Sequence, residues 1–175
     1  SGRIWRYIKN RCEGETIVGD GVTNIKSMDV TDREVAEILL KLQIPAYLVE
    51  AKLINFYDIP PLKDTVETLQ ICGEHFFGYF IENELCGAIS YLVEGKTLDI
   101  HRLIVNPKHF RKGIAKQLFH FVEEHEKGIE TIIVSTGTKN LPAVEFYLKR
   151  GFAVKRVVQV NEKLSLTFFE KKKAR

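Results

Sequence analysis

"LDIHRLIVNPKHFRKGIAKQLFHFVEEH", Leu98 to His125, decides how the chain is read. An apolar run ends at Val105, a turn begins at Pro107, and Ile114, Leu118, Phe121 and Val122 then recur at i, i+4, i+7 and i+8. That order is strand, loop, amphipathic helix. The first N–H groups of a helix have no internal partners and point at any anion placed there. Gly113 lets a diphosphate-sized anion approach that backbone, and Ala115 keeps the next inward position small. Lys108, Arg111, Lys112 and Lys116 add cationic donors, with no acidic residue between His101 and Val122. Taken alone, the loop fits a solvated basic turn equally well.

Outward from this unit, "HFFGYFIENELCGAISYLVEGKTLDIHRLIV" holds three apolar runs separated at Glu82-Asn83 and Glu94-Gly95, which predicts a three-strand antiparallel meander. Upstream, "IKSMDV" alternates as a strand, and "TDRE" has the form of a capping box with Thr31 as cap and Glu34 reaching back. Val35, Ile38, Leu39 and Leu42 give the following helix one apolar stripe, and Pro45 is expected to end or kink it. A second short helix is expected from Leu62 to Ile71. Downstream, "ETIIVST" reads as a buried strand and "LPAVEFYLKRG" as a helix with Pro142 in its first turn and Gly151 as its stop. Two strands, Ala153 to Val160 and Leu164 to Glu170, close the chain. Residues 1–24 read as an N-terminal arm whose "EGETIVGDGVTN" suggests turns or a short hairpin, with no assigned function.

Composition narrows the class. The 175 residues, 45% hydrophobic, suit one substantial core, so residues 25–175 are expected to form a single domain. A net charge of +3 falls well short of a nucleic-acid-binding composition. Cys12, Cys72 and Cys86 are odd in number and lack C-x-x-C spacing, so neither a disulfide framework nor a cysteine metal site is indicated. The apolar runs are short, and "SGRIWRYIKNR" is not followed by the apolar core of a secretory signal. The expectation is a cytoplasmic protein without membrane contact. The G-x-x-x-x-G-K-[ST] phosphate loop does not occur, and "GDGVTN" lacks the third small residue of a dinucleotide fingerprint and precedes a strand. His120 and His125 lie roughly 140° apart around a helix, so they cannot converge on zinc.

Two separated motifs carry a family resemblance. In the loop, Gly113 and Ala115 match the small positions of [RQ]-x-x-G-x-[GA], and Phe110 stands where an Arg or Gln is usual. In "NLPAVEFYLKRGF", Asn140, Ala143, Phe146, Tyr147, Gly151 and Phe152 match N-x-x-A-x-x-F-Y followed by G-F. Together, and in this order, they resemble the GNAT superfamily of acyl-CoA-dependent N-acetyltransferases, within which "AYLVEAKLINFYDIPPLKDT" is similar to small bacterial members of undefined substrate. The resemblance runs from Ile25 to Glu170. It implies an α/β (α+β) fold: a central, mostly antiparallel mixed sheet with a splayed parallel strand pair, flanked by about four helices. It also implies acetyl-CoA as cosubstrate. The pantetheine arm would add to the strand edge at Leu103, Ile104 and Val105, the diphosphate would sit on the amides of Arg111, Lys112, Gly113, Ile114, Ala115 and Lys116, and Asn140 would touch the arm from the other side. As a residue choice, Asn140 equally suits a helix N-cap.

Attack of an amine on a thioester needs a neutral amine, a stabilised oxyanion and a proton for the departing thiolate. Asp99 and His101 share one predicted strand face and are base candidates, although the two could equally bond each other. Glu50 is a third. The oxyanion donor is expected to be a main-chain N–H near Leu103 or Ile104. Tyr147 is the candidate acid, the role that the resemblance implies; packing alone would also explain an aromatic there. The implied activity is acetyl transfer to a primary amine of a small molecule or peptide, with no nucleic-acid or membrane partner and room for a homodimer. A catalytically weak acyl-CoA-binding sensor is the alternative.

Overall fold

The computed structural model describes residues 17–18 and 23–173. Eight strands form one sheet: β1 (Ile17–Val18), β2 (Thr23–Met28), β3 (His75–Ile81), β4 (Glu84–Glu94), β5 (Thr97–Val105), β6 (Thr131–Gly137), β7 (Ala153–Gln159) and β8 (Ser165–Lys172), in the order β1-β2-β3-β4-β5-β6-β8-β7. Among the described residues only the β5–β6 pair is parallel, from Thr97 opposite Thr131 to Ile100 opposite Val134. Four α-helices are present among the described residues: α1 (Arg33–Ile54), α2 (Val66–Gln70), α3 (Ile114–His125) and α4 (Leu141–Lys149). The expected mixed sheet, splayed pair and helix number are all found. β1 pairs antiparallel with β2, as a short hairpin would; the rest of the arm, residues 1–16 and 19–22, lies outside the described residues.

The sheet separates two apolar clusters. On one face Leu39, Leu42, Tyr47, Ala51 and Ile54 of α1 and Leu69 of α2 cover Phe76, Phe80 and Ala88. On the other, Leu118, Phe119 and Val122 of α3 and Tyr147 of α4 cover Phe77, Ile89, Leu98 and Ile132. The meander is held by a two-residue turn in which Glu82 and Asn83 both have positive φ, 45° and 73°, the geometry that matches strand twist. Gly87 permits close approach: a Cβ there would stand 2.7 Å from Ile114 Cγ2, so its absence lets the start of α3 settle on β4.

Three local expectations are corrected. Asp32, not Thr31, caps α1: the Thr31 N–H and hydroxyl both donate to Asp29 Oδ1, while Asp32 Oδ1 accepts from the Glu34 N–H at 2.9 Å. α1 also continues through Pro45 for nine more residues, because Tyr47, Ala51 and Ile54 are buried against the sheet and that burial outweighs the one backbone bond that proline removes. The expected 62–71 helix is a 3₁₀ turn at Pro60–Leu62 followed by the short α2, which Thr65 and Thr68 cap reciprocally.

Beneath α1 lies a buried ion cluster. The Arg102 guanidinium donates to Glu74 and, at 3.1 Å, to Asp64, and the Ser90 hydroxyl donates to Glu74 at 2.7 Å. It ties β5, β4, the segment between the 3₁₀ turn and α2, and the α2–β3 loop together. Removing one member would leave the others charged and unpaired.

Candidate active site

β5 has two halves. Opposite Ser90 and Tyr91 its register slips by one residue at His101, a bulge that bends the strand. Beyond it, Leu103, Ile104 and Val105 stay paired with Ile89, Ala88 and Gly87 of β4, but pairing with β6 stops at Ile100. β6 instead follows β8 out to Gly137. The two strands therefore part, and among the described residues one edge of Leu103–Val105 has no strand partner.

That opening is a cavity of about 700 Å³, walled by α1, the end of β5, the loop into α3, and α4. At its loop end the chain turns through Arg111, with φ 64°, and Gly113, with φ 76°, before α3 begins. Gly113 is the N-cap and offers no side chain to the free amides. A Cβ built on it would meet nothing closer than Gln117 Nε2 at 4.0 Å, so the space in front of those amides is open. Arg111, Gly113, Ala115 and Lys116 line the cavity. The Ile114 side chain is buried under α3, leaving its backbone as the available donor. Phe110 stands on the rim, 46% exposed. Lys112 turns aside: its Nζ lies 3.0 Å from His109 Nδ1, and His109 Nε2 lies 3.9 Å from Glu84. Glu84, Cys86 and His109 bring ligand-type atoms within 4.8 Å of one another. The adjacent ammonium and a thiol pushed up by burial both work against a cation there.

At the other end Glu50, Asn140 and Tyr147 face the same cavity. Glu50 sits within α1, delivered by the helix that continues past Pro45. Burial raises its carboxyl above the ordinary range, against the opposing hydrogen bonds of Asn140 and Thr136, the latter at 3.5 Å. Asn140 is the N-cap of α4, its Oδ1 accepting from the Ala143 N–H at 3.3 Å while its amide donates to Thr136 Oγ1 at 3.5 Å. Sequence reading did not single out Thr136, whose part depends on a β6–α1 contact. Tyr147 is 5% exposed, and its ring packs on Phe146, Phe152 and Phe169 at 5.2 to 5.6 Å. Burial, then the nearby Glu50, raises its phenol, so it holds its proton throughout the neutral range.

Asp99 and His101 do not line this cavity. His101 Nε2 is 3.3 Å from Asp99, and its Nδ1 is 3.6 Å from Glu74, so the pair sits at the edge of the Arg102 cluster. The bulge accounts for this, because it breaks the alternation that the sequence implies.

Comparisons with known proteins bear on the family and the fold. The acetyltransferase (GNAT) family model matches residues 38–152. UPF0157 protein YqkA of Bacillus subtilis (strain 168) is 38% identical over 145 residues, which is 83% of this chain and 42% of that protein, so the chain spans less than half of this relative's length. The PaiA N-acetyltransferase of Thermoplasma acidophilum, solved in complex with coenzyme A, superposes with a TM-score of 0.67 at 20% identity, over 85% of this chain and 99% of that one. The ribosomal-protein-S18-alanine N-acetyltransferase of Escherichia coli gives 0.69 at 13% identity, over 86% and 93%. At such identities the structural likeness speaks for the fold alone.

Proposed function

Because the chain belongs to the GNAT acetyltransferase family, we propose that it is an acetyl-CoA-dependent N-acetyltransferase that acetylates a primary amine of a small molecule or peptide by direct attack. The observation that carries the reading is the joining, in one cavity, of an unpartnered strand edge, an open helix N-terminus and a buried carboxylate–phenol pair.

These residues suit a CoA thioester. The free edge at Leu103–Val105 offers main-chain donors and acceptors to an extended amide-bearing arm. Open space before the Gly113 N-cap suits a diphosphate, with Arg111 and Lys116 adding charge. When bound, the thioester supplies an activated acetyl group. Glu50, raised toward neutrality, accepts a proton from the incoming ammonium, directly or through one water. Thr136 and Asn140 hold its carboxylate. A main-chain N–H of Leu103 or Ile104, already fixed by β4, stabilises the oxyanion without reorganisation. Tyr147, protonated and locked by three aromatic neighbours, donates to the leaving sulfur.

The test is calorimetric binding of acetyl-CoA, followed by thiol release against a panel of polyamines, amino acids, aminoglycosides and peptide N-termini. Binding with amine-dependent thiol release is the expected result. Tight binding with no release for any amine would instead make the protein an acyl-CoA sensor, and absence of binding would end the reading.

A further inference from the structure

The α1 wall of the cavity is apolar on both sides of Glu50. Ala46 lies one turn before it and Leu53 one turn after, both on the cavity lining, and Leu53 is 45% exposed. The lining's one other carboxylate among the described residues is Glu145. It is exposed and roughly 200° around α4 from Tyr147, so it does not stand beside the Glu50–Tyr147 pair. The carboxylates that follow α1 along the chain are engaged: Asp58 pairs with Lys63, and Asp64 and Glu74 pair with Arg102. Among the described residues no Ser, Thr, Gln or Asp lines the cavity, and the Asn140 side chain is already bonded to Thr136 and the Ala143 N–H.

These surroundings select the acceptor. One buried carboxylate meets one ammonium, and a second ammonium brought to this wall would lose water and gain no counter-charge. A hydroxyl-rich amine would find aliphatic surface where it needs donors and acceptors. The α-carboxylate of a free amino acid would stand against Glu50. An apolar chain beside the amine would instead cover Ala46 and Leu53, and each methylene it buries adds to binding. We propose that the acceptor is a monoamine, one primary ammonium on an apolar alkyl or aralkyl body with no second charge near it, rather than a polyamine, an aminoglycoside or a free amino acid. The same chemistry occurs in a free amine and in the apolar first residue of a peptide. The inference rests on the reading of the cavity as an acetyl-CoA-dependent transferase site and names the acceptor class for it.

Thiol release from acetyl-CoA tests it with matched amines. Pentylamine and 1,5-diaminopentane share a chain and differ by one ammonium; tripeptides led by Leu and by Arg make the same comparison for a peptide. The apolar member is expected to have the higher kcat/KM in one pair or both, by at least about tenfold, the cost of one charged group buried without a partner. The pair with the higher values names the source. From ethylamine to pentylamine kcat/KM should rise by up to about fourfold per methylene. Leu53→Asp places a second carboxylate about 5–6 Å from Glu50, measured between Cβ atoms, and should narrow the gap between pentylamine and 1,5-diaminopentane. Charged members equal or preferred in both pairs, no rise with chain length, or a gap that Leu53→Asp leaves unchanged overturns the acceptor class while the transferase reading stands. Acetyl-CoA binding with no thiol release for any amine overturns the transferase reading and the acceptor class with it. Leu53→Asp failing to fold leaves the wild-type comparisons to decide.

Discussion

At the α3 end of the cavity, Arg111 and Gly113 turn the chain through positive φ so that backbone amides face the opening; at the α1 end, Glu50 and Tyr147 reach in from two helices on opposite faces of the sheet. The first end tolerates changes of side chain so long as the turn survives. The second depends on two particular functional groups and on the burial that tunes them. Substitutions should therefore divide cleanly: at the reaction end they remove rate, and at the cradle they remove donor affinity.

Glu50→Gln is expected to show the largest effect. Loss of the proposed general base should lower turnover about 10²–10⁴-fold, while acetyl-CoA affinity stays within about twofold. In the wild type kcat/KM should rise with pH through the raised carboxyl value of Glu50, and the variant should lack that limb. A variant with wild-type turnover, or one whose pH limb persists, would move the base elsewhere. Tyr147→Phe keeps the ring packing on Phe146, Phe152 and Phe169 and removes only the hydroxyl. Turnover should fall by about a hundredfold, with CoA affinity and Tm little changed. Equal loss of affinity and rate would reduce Tyr147 to packing.

Gly113→Val probes the opposite end. A β-branched residue at φ 76° costs roughly 1–2 kcal/mol in the backbone and fills the open space before the amides. Calorimetry should report CoA binding weakened tenfold or more, with turnover at saturating donor largely preserved. Unchanged affinity would break the distinction between the two ends.

The cradle and the α4 half of the reaction end are legible in the sequence; the choice among Glu50, Asp99 and His101 is not, for a physical reason. Gly113, Ala115 and the helix spacing after them are local signals, as are Asn140 and Tyr147 in a helix opened by Pro142. Glu50 depends on whether α1 survives Pro45, and that is decided by the burial of Tyr47, Ala51 and Ile54 against strands distant in sequence. Asp99 and His101 look like a catalytic pair only while β5 is taken as regular; with the bulge opposite Ser90 and Tyr91, His101 stands between Asp99 and Glu74, away from the cavity.

The smallest expected effect has a sign that separates the two ends further. Burial raises the Glu50 carboxyl in the folded state above its value in the unfolded chain. Below the unfolded value both states are protonated, and Glu50 makes stability no different. As pH rises past that value the unfolded chain releases its proton first, which favours unfolding, and the penalty grows until the folded carboxyl also ionises. At neutral pH wild-type Glu50 therefore destabilises the fold, and Glu50→Gln should melt higher, by about 2–4 °C for each kcal/mol relieved, with the difference vanishing near pH 4. Gly113→Val should melt lower at every pH, since its strain does not titrate. Thermal melts of both variants from pH 4 to 8 read this directly. A Glu50→Gln protein less stable than wild type at pH 8 would mean that the carboxylate is held by more than Thr136 and Asn140, and that the reaction end is built for stability as well as for rate.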